Sequence, residues 1–189
     1  NFTATNLVKS NAKKTQYQLN TTPKSQSHYE MLQKLELKEI DFLKIVNFCR
    51  KIKIEFLSTP YDVESVDLLE KLNVKRYKVA STDLVDLILH KKLISTKKPI
   101  LISTGASNLQ EIEKTMNFYK FHNHKKITLM HCVSNYPCSE KSINLNILST
   151  LKKNFGFPIG YSDHSDNNIA SIMSVSFGVE VIEKHFTLN

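Results

Sequence analysis

Residues 158–187 read PIGYSDHSDNNIASIMSVSFGVEVIEKHFT, and this stretch decides the fold. A short β-like run, a helical segment and a second β-like run follow one another, and a histidine comes after each run, His164 and His185. Two strands that are joined by a helix pair in parallel through a right-handed crossover, so their carboxyl ends lie at the same edge of the sheet. The stretch therefore predicts two imidazoles that face one metal ion, as in a metal-assisted enzyme.

Helix and strand alternate in the same way through most of the chain. From hydrophobic periodicity we predict helices at residues 39–51, 63–72, 83–91, 109–119, 145–154 and 168–177. We predict strands at residues 54–58, 76–80, 99–103, 127–131, 158–161 and 179–183. This order implies a parallel sheet, either doubly wound or closed as a (β/α)8 barrel.

Polar side chains follow every predicted strand, and this pattern favours the barrel. They are Ser58-Thr59, Ser81-Thr82, Ser103-Thr104, His131, Ser162-Asp163-His164 and His185 with Thr187. A barrel collects its site from all strand ends, whereas a doubly wound sheet uses one switch point. A complete barrel has eight strands and about 250 residues. The 189 residues therefore predict an α/β fold, a partial TIM barrel with strands 3 to 8 present and the first two strands missing.

Composition limits the class of protein. We interpret residues 1–189 as one partial TIM-barrel catalytic domain, with a polar loop region at 1–27 and alternating helix and strand at 28–189. No apolar run is long enough to cross a bilayer, and three cysteines without a metal-binding or disulfide spacing fit a cytoplasmic protein. The net charge of +8 is spread over scattered lysines, so we expect neither nucleic acid nor a membrane as a partner.

Side-chain alternation indicates which residues line the site. A strand that turns His164 inward also turns Ser162 inward, and one that turns His185 inward also turns Glu183 inward. The same rule places Lys78 inside the barrel. A buried lysine is costly unless it meets an anion, forms a Schiff base or takes part in a salt bridge.

Hydroxyl groups near Lys78 predict that a bound anion is its partner. Ser81 follows the same strand, and Ser103-Thr104-Gly105 ends the next strand and leads into a helix. Hydroxyls and helix N-terminal N–H groups suit a phosphate or a carboxylate. We therefore expect an anion pocket around Lys78, Ser81 and Ser103.

Motifs along the whole chain closely resemble those of the sialic acid synthase family, whose members include N-acetylneuraminate and N,N'-diacetyllegionaminate synthases. The motifs are Phe56-Leu57-Ser58-Thr59-Pro60, Tyr77-Lys78-Val79-Ala80-Ser81, Ile102-Ser103-Thr104-Gly105, His131-Cys132 with Tyr136-Pro137, Gly160-Tyr161-Ser162-Asp163-His164 and Ile182-Glu183-Lys184-His185-Phe186-Thr187. Such synthases condense phosphoenolpyruvate with an N-acetylated hexosamine to give a nine-carbon sugar acid. The resemblance implies that the substrates are phosphoenolpyruvate and N-acetylmannosamine or a related amino sugar.

The resemblance also implies roles for particular residues. His164 and His185 match the ligands of a divalent metal ion, usually Mn²⁺, and with Glu183 they are our candidate catalytic residues. Phosphoenolpyruvate-binding positions of the family match Thr59, Lys78, Ser81, Ser103 and Ser162. Ser134 and Tyr136 match positions that contact phosphoenolpyruvate and the sugar, respectively.

The chain also departs from the family pattern. A strand with a catalytic glutamate and a strand with a phosphoenolpyruvate-binding lysine are expected before Asn1, and a C-terminal antifreeze-like domain is expected after Asn189. In the family this domain reaches into the partner subunit, which implies a domain-swapped homodimer. Ser81-Thr82-Asp83 replaces the commoner Ser-Gly-Glu. We therefore expect a fragment that is inactive alone.

Three other interpretations stay open on the sequence. A synthase of a legionaminic-type sugar acid carries the same motifs. An inward Lys78 is also compatible with a Schiff-base aldolase. Finally, the chain is compatible with a truncated, inactive piece of such an enzyme, or with one that serves only as an interaction surface.

Overall fold

The computed structural model describes residues 8–15, 18–19, 22–23 and 25–187. The remaining parts of the predicted polar region 1–27, and residues 188–189, lie outside the described residues. The chain divides into two compact units, Asn1–Lys75 and Arg76–Asn189. Each unit is therefore described by itself.

The first unit contains helices α1 (His28–Leu35), α2 (Glu39–Lys51) and α3 (Val63–Lys71). Helices α2 and α3 lie where the periodicity predicts them, whereas α1 was not predicted. A capping box starts α1, in which Ser27 Oγ accepts from Glu30 N–H and the Glu30 carboxylate accepts from Ser27 N–H. That signal was readable from the Ser-x-x-Glu spacing. The apolar side chains of these helices that are buried are Met31, Phe42, Val46, Val66 and Leu69.

The strand predicted at residues 54–58 is wrong. These residues have no regular secondary structure, and the Ile54 side chain is 61% exposed. A strand forms only where a neighbouring backbone completes its hydrogen-bond ladder. Among the described residues no strand pairs with this segment, so its alternating pattern was not sufficient.

The second unit contains a parallel sheet. Within the described residues this sheet has five strands in the order β1-β2-β3-β4-β5. They are β1 (Tyr77–Val79), β2 (Ile100–Ser103), β3 (Ile127–Cys132), β4 (Ile159–Asp163) and β5 (Val181–Lys184). All four neighbouring pairs are parallel, and each strand lies at a predicted position.

Helices connect these strands. They are α4 (Leu87–Ser95), α5 (Leu109–Phe121), α6 (Asn146–Phe155) and α7 (Ile169–Ser174). Helix α4 begins four residues later than predicted because the Asp86 carboxylate accepts from Ile88 N–H and Leu89 N–H and so caps the helix there. Residues Ser81–Asp83 form a 3₁₀ turn instead. In the described part of the chain, no helix is long and apolar enough to cross a membrane.

The register of the sheet separates two faces. Ser162 pairs with Cys132 on one side and with Glu183 on the other, so these three side chains share a face. The opposite face carries the buried apolar side chains Ile100, Ile102, Ile127, Leu129, Ile159 and Tyr161. The fold is thus α/β, with a parallel five-stranded half-barrel in the described residues, as a partial TIM-like barrel requires.

Candidate active site

Lys78 lies on β1 and is buried. Its ammonium donates to Ser103 Oγ at 2.6 Å and to the Val79 carbonyl at 3.2 Å. The Glu183 carboxylate of β5 lies 3.5 Å from the same nitrogen. The buried cation thus has a hydroxyl from β2 and a half-exposed carboxylate from β5 as partners.

His164 follows β4 and is held in one tautomer. Its Nδ1 lies 2.6 Å from the Val133 carbonyl, which can only accept, so Nδ1 carries the proton. Nε2 therefore has a free lone pair, which Ser162 Oγ approaches to 3.3 Å. Burial lowers the pKa of His164, the bond to Val133 opposes this effect, and the nearby His185 lowers the pKa further. The neutral imidazole with a free nitrogen is the form that binds a metal ion.

Tyr136 and the two histidines form a cluster of rings. The centroids of His164 and His185 lie 5.4 Å apart, with an angle of 69° between the ring planes. Tyr136 lies 4.1 Å from His164 and 5.4 Å from His185, measured between centroids. His185 is exposed, so the cluster opens toward solvent.

The donor set of this cluster fits a divalent metal ion with few protein ligands. His164 offers a neutral Nε2, and His185 presents its ring beside it. Among the described residues, no group of three or more His, Cys, Asp or Glu side chains could hold a metal ion. Two imidazoles would leave other coordination positions of an ion to water or substrate oxygens, as in catalytic sites.

Gly105 brings three polar side chains together. A Cβ at this position would lie 2.6 Å from Cys132 Sγ, 2.7 Å from Ser134 Oγ and 2.9 Å from Ser81 Oγ. Ser81 Oγ and Cys132 Sγ are themselves 3.1 Å apart. Only a residue without a side chain allows this approach, a requirement that the Ser-Thr-Gly motif did not show by itself.

The structure thus brings most of the candidate residues to the carboxyl ends of β1 to β5. Those in the second unit are Lys78, Ser81, Ser103, Ser134, Tyr136, Ser162, His164, Glu183 and His185. Thr59 belongs to the first unit and is half-buried there. His131 shares the face of Tyr161, with which it pairs in ring contact and by register, so it does not line the face of Ser162.

Sequence reasoning missed one group beside the histidines. Asp163 is completely buried, and its Oδ2 lies 3.0 Å from Lys184 Nζ. Alternation along β4 and β5 turns both side chains away from the histidine-bearing face. In the sequence these residues appear only as an aspartate before His164 and a lysine before His185, and nothing there indicates that they form an ion pair.

The comparisons with known proteins agree on one family. The NeuB family matches the chain over residues 1–189. The chain is 42% identical over 190 residues to N,N'-diacetyllegionaminic acid synthase of Campylobacter jejuni subsp. jejuni serotype O:2, covering 100% of this chain and 57% of the relative. It is 38% identical over 192 residues to the synthase of the same name from Legionella pneumophila, covering 100% and 54%.

A solved structure agrees with the fold and the family. N-acetylneuraminic acid (sialic acid) synthetase from Leptospira borgpetersenii serovar Hardjo-bovis, in complex with citrate, is similar with a TM-score of 0.82 at 31% identity. The match covers 90% of this chain and 59% of that one. The chain therefore spans just over half the length of these relatives.

Proposed function

Because the chain belongs to the NeuB family, we propose that it carries the catalytic site of a synthase that condenses phosphoenolpyruvate with an N-acetylated amino sugar. The observation that supports this most is the convergence on one face of a buried ammonium and two histidines from neighbouring strands. Lys78 is bonded to Ser103 and faces Glu183, and Glu183 pairs in register with Ser162, which approaches His164. A cation with hydroxyls suits a phosphate, and the neutral imidazole suits a Lewis acid.

Phosphoenolpyruvate would bind around Lys78. The ammonium and the hydroxyls of Ser81, Ser103, Ser134 and Ser162 would donate to the phosphate and carboxylate oxygens. Lys78 Nζ is buried and bonded to Ser103, and charge-assisted hydrogen bonds to a phosphate are strong in such a place. A dianion would also compete with Glu183 for the ammonium.

His164 and His185 would hold a divalent metal ion, of which Mn²⁺ is our first candidate. When bound, such an ion supplies Lewis acidity to the sugar carbonyl. The bond from His164 Nδ1 to Val133 fixes the ring so that Nε2 faces the site. Tyr136 packs against both rings and would orient the sugar.

The reaction forms one carbon–carbon bond and, at C2, replaces the carbon–oxygen bond to phosphate by one to water. C3 of phosphoenolpyruvate attacks the aldehyde carbon of the open-chain sugar, and the aldehyde oxygen takes up a proton. Water adds at C2 and gives up a proton. Phosphate then leaves with the oxygen that bridged it to C2, while the new C2 hydroxyl passes its proton to the departing phosphate and becomes the ketone. Glu183 is the candidate group to accept and return the proton, because its carboxylate lies on the site face beside Lys78.

N-acetylmannosamine, which gives N-acetylneuraminate, is one candidate for the sugar. A precursor with two acetamido groups, which gives a legionaminic-type acid, is the second. The identity of 42% and 38% to two N,N'-diacetyllegionaminic acid synthases over the whole chain favours this second sugar. We also propose that the intact protein acts in the cytoplasm as a domain-swapped homodimer.

The test is a product assay of the intact protein. Phosphoenolpyruvate with ¹⁸O in the bridging position is incubated with Mn²⁺ and either sugar, and phosphate and sugar acid are analysed by mass spectrometry. We expect a nine-carbon acid and ¹⁸O in the phosphate. A second incubation contains pyruvate and borohydride. A covalent adduct on Lys78 there, with no phosphate release from phosphoenolpyruvate in the first assay, would instead identify a Schiff-base aldolase.

A further inference from the structure

The two histidines are each preceded by a charged residue, and these two residues form an ion pair in which Asp163 is buried and Lys184 is half-buried. Asp163 and Lys184 are register partners at the last step of the ladder between β4 and β5. Asp163 is 0% exposed, and Lys184 Nζ lies 3.0 Å from its Oδ2. Beyond this pair, the segments that contain His164 and His185 are no longer paired as strands.

Every acceptor of Asp163 is used. Oδ1 accepts from Ser165 N–H at 2.9 Å and from Ser165 Oγ at 2.6 Å. Oδ2 accepts from Ser171 Oγ of α7 in addition to the ion pair. These bonds fix the backbone directly on both sides of His164.

Lys184 connects β5 to the segment that follows His164. Its ammonium donates to the Ser165 carbonyl at 2.5 Å and to the Asn167 carbonyl at 2.6 Å. One cation therefore holds the residue after His164 and the residue before His185 in fixed positions. Buried ion pairs add little net stability, and their best-attested use is to specify one arrangement.

We propose that Asp163 and Lys184 are positioning residues that set the separation of His164 and His185. The separation in question is the 5.4 Å between the two ring centroids. The inference rests on the proposed metal-binding role of these histidines. Neither charged group contacts the ion; each acts through the backbone of its neighbouring histidine, as outer-shell partners of metal ligands do.

The test compares metal binding with stability. The intact apoprotein and its Lys184→Met, Lys184→Arg and Asp163→Asn variants are titrated with Mn²⁺ by calorimetry, and thermal unfolding is measured without metal. We expect Lys184→Met and Asp163→Asn to weaken Mn²⁺ binding about 10- to 100-fold. Lys184→Arg, which keeps the charge, should recover most of this loss. Phosphoenolpyruvate affinity measured without metal should stay within about twofold in the variants that fold.

The matched control is Lys44→Met, which removes the lysine of an exposed ion pair with Asp41 on α2. It should not change the affinity for Mn²⁺. Co²⁺ is then bound in place of Mn²⁺ as a spectroscopic probe: Lys44→Met should leave its absorption bands unchanged, whereas Lys184→Met should change them because the ligand geometry changes. If Lys184→Met does not fold, the variant Ser165→Ala takes its place in the same comparison, because it removes one hydrogen bond to Asp163.

The experiment distinguishes failure of the proposed metal site from failure of the proposed positioning role. Wild-type protein that makes product without binding a metal ion would overturn the proposed role of the histidines. Wild-type protein that binds Mn²⁺, together with folded variants that bind it equally well, would overturn the positioning role alone. Variants that lose only thermal stability would show that the pair is structural.

Discussion

Lys78 Nζ lies 3.5 Å from Glu183 Oε2, although the two residues belong to the first and the last strand of the described sheet. Neighbouring strands lie about 4.8 Å apart, so four steps across a flat sheet would separate these strands by about 19 Å. Two extended side chains cannot cover that distance. The contact therefore requires a strongly curved sheet, which is the physical basis of the half-barrel and of the enclosed face on which the site lies.

Replacing Lys78 tests the anion pocket. Lys78→Met removes the buried cation and leaves Glu183 without its partner, so phosphoenolpyruvate affinity should fall about 10- to 100-fold, or about 1.5–3 kcal/mol. Calorimetric titration of the intact protein measures this change. The exposed Lys91→Met is the matched control and should bind normally. Equal affinity in Lys78→Met and wild type would exclude the pocket.

Replacing the histidines tests the metal site. His164→Ala and His185→Ala should each lose bound Mn²⁺ and lower kcat more than they raise the KM for phosphoenolpyruvate, since the ion would act on the aldehyde. Metal content by mass spectrometry and steady-state kinetics measure both effects. His122→Ala, at an exposed histidine, is the control. A double variant with unchanged metal content and activity would contradict the assignment.

Gly105 should not accept even one methyl group. Gly105→Ala places a Cβ within 3 Å of the Ser81, Cys132 and Ser134 side chains, so we expect a loss of about 1–3 kcal/mol of stability and weaker phosphoenolpyruvate binding. Urea unfolding and ligand titration measure these effects. Gly156→Ala is the control, because that site has a φ of 70° but nothing within 4 Å of a Cβ. It should cost about 1 kcal/mol and leave binding intact. The idea fails if the two variants bind equally.

Acid should destabilise the protein through His131. This side chain is 3% exposed, and burial lowers its pKa to about 4. The unfolded chain has a histidine pKa of about 6.5, so it takes up the proton first as the pH falls. The free energy of unfolding is therefore unaffected by the protonation of His131 above about pH 6.5. It decreases by roughly 3 kcal/mol as the pH falls from about 6.5 to about 4.

The variant His131→Phe isolates this effect. Nε2 of His131 has no hydrogen-bond partner, so the change removes no bond at that atom. Urea unfolding at several pH values should show that the free energy of unfolding decreases less between pH 6.5 and 4 in the variant than in wild type. Part of this pH dependence should remain, because burial also lowers the pKa of His90. A slope equal to that of wild type would contradict the assignment to His131.

Residues 1–189 expressed alone should form no sugar acid. Strands β1 and β5 are the edges of the described sheet, and such edges leave backbone donors and acceptors unpaired. The large exposed apolar side chains include Ile172 on α7, Ile182 on β5 and Phe186 after β5. Size-exclusion chromatography should show aggregation, and phosphate release should equal that of a blank. A monodisperse, active protein would refute this expectation.

Local patterns in the sequence were enough for most of the secondary structure. The limits of α2 were predicted to the residue, and all five strands of the sheet lie at predicted positions, because apolar periodicity and caps act within a few residues. The strand predicted at 54–58 failed because a strand also needs a partner, which a local pattern does not contain. The capping box of α1 is also a local signal, but it lies in the spacing of two polar residues and not in an apolar period.

The sequence by itself determined that strands and helices alternate, that polar residues follow the strands, and that a histidine follows each of two neighbouring strands. Only the tertiary structure decided that Lys78 meets Glu183, that Ser81, Cys132 and Ser134 surround Gly105, and that His131 pairs with Tyr161. It also decided that the buried Asp163 forms an ion pair with Lys184 beside the histidines. The reason is physical: periodicity specifies which face a side chain takes, whereas the curvature and register of the sheet specify which distant side chain it meets.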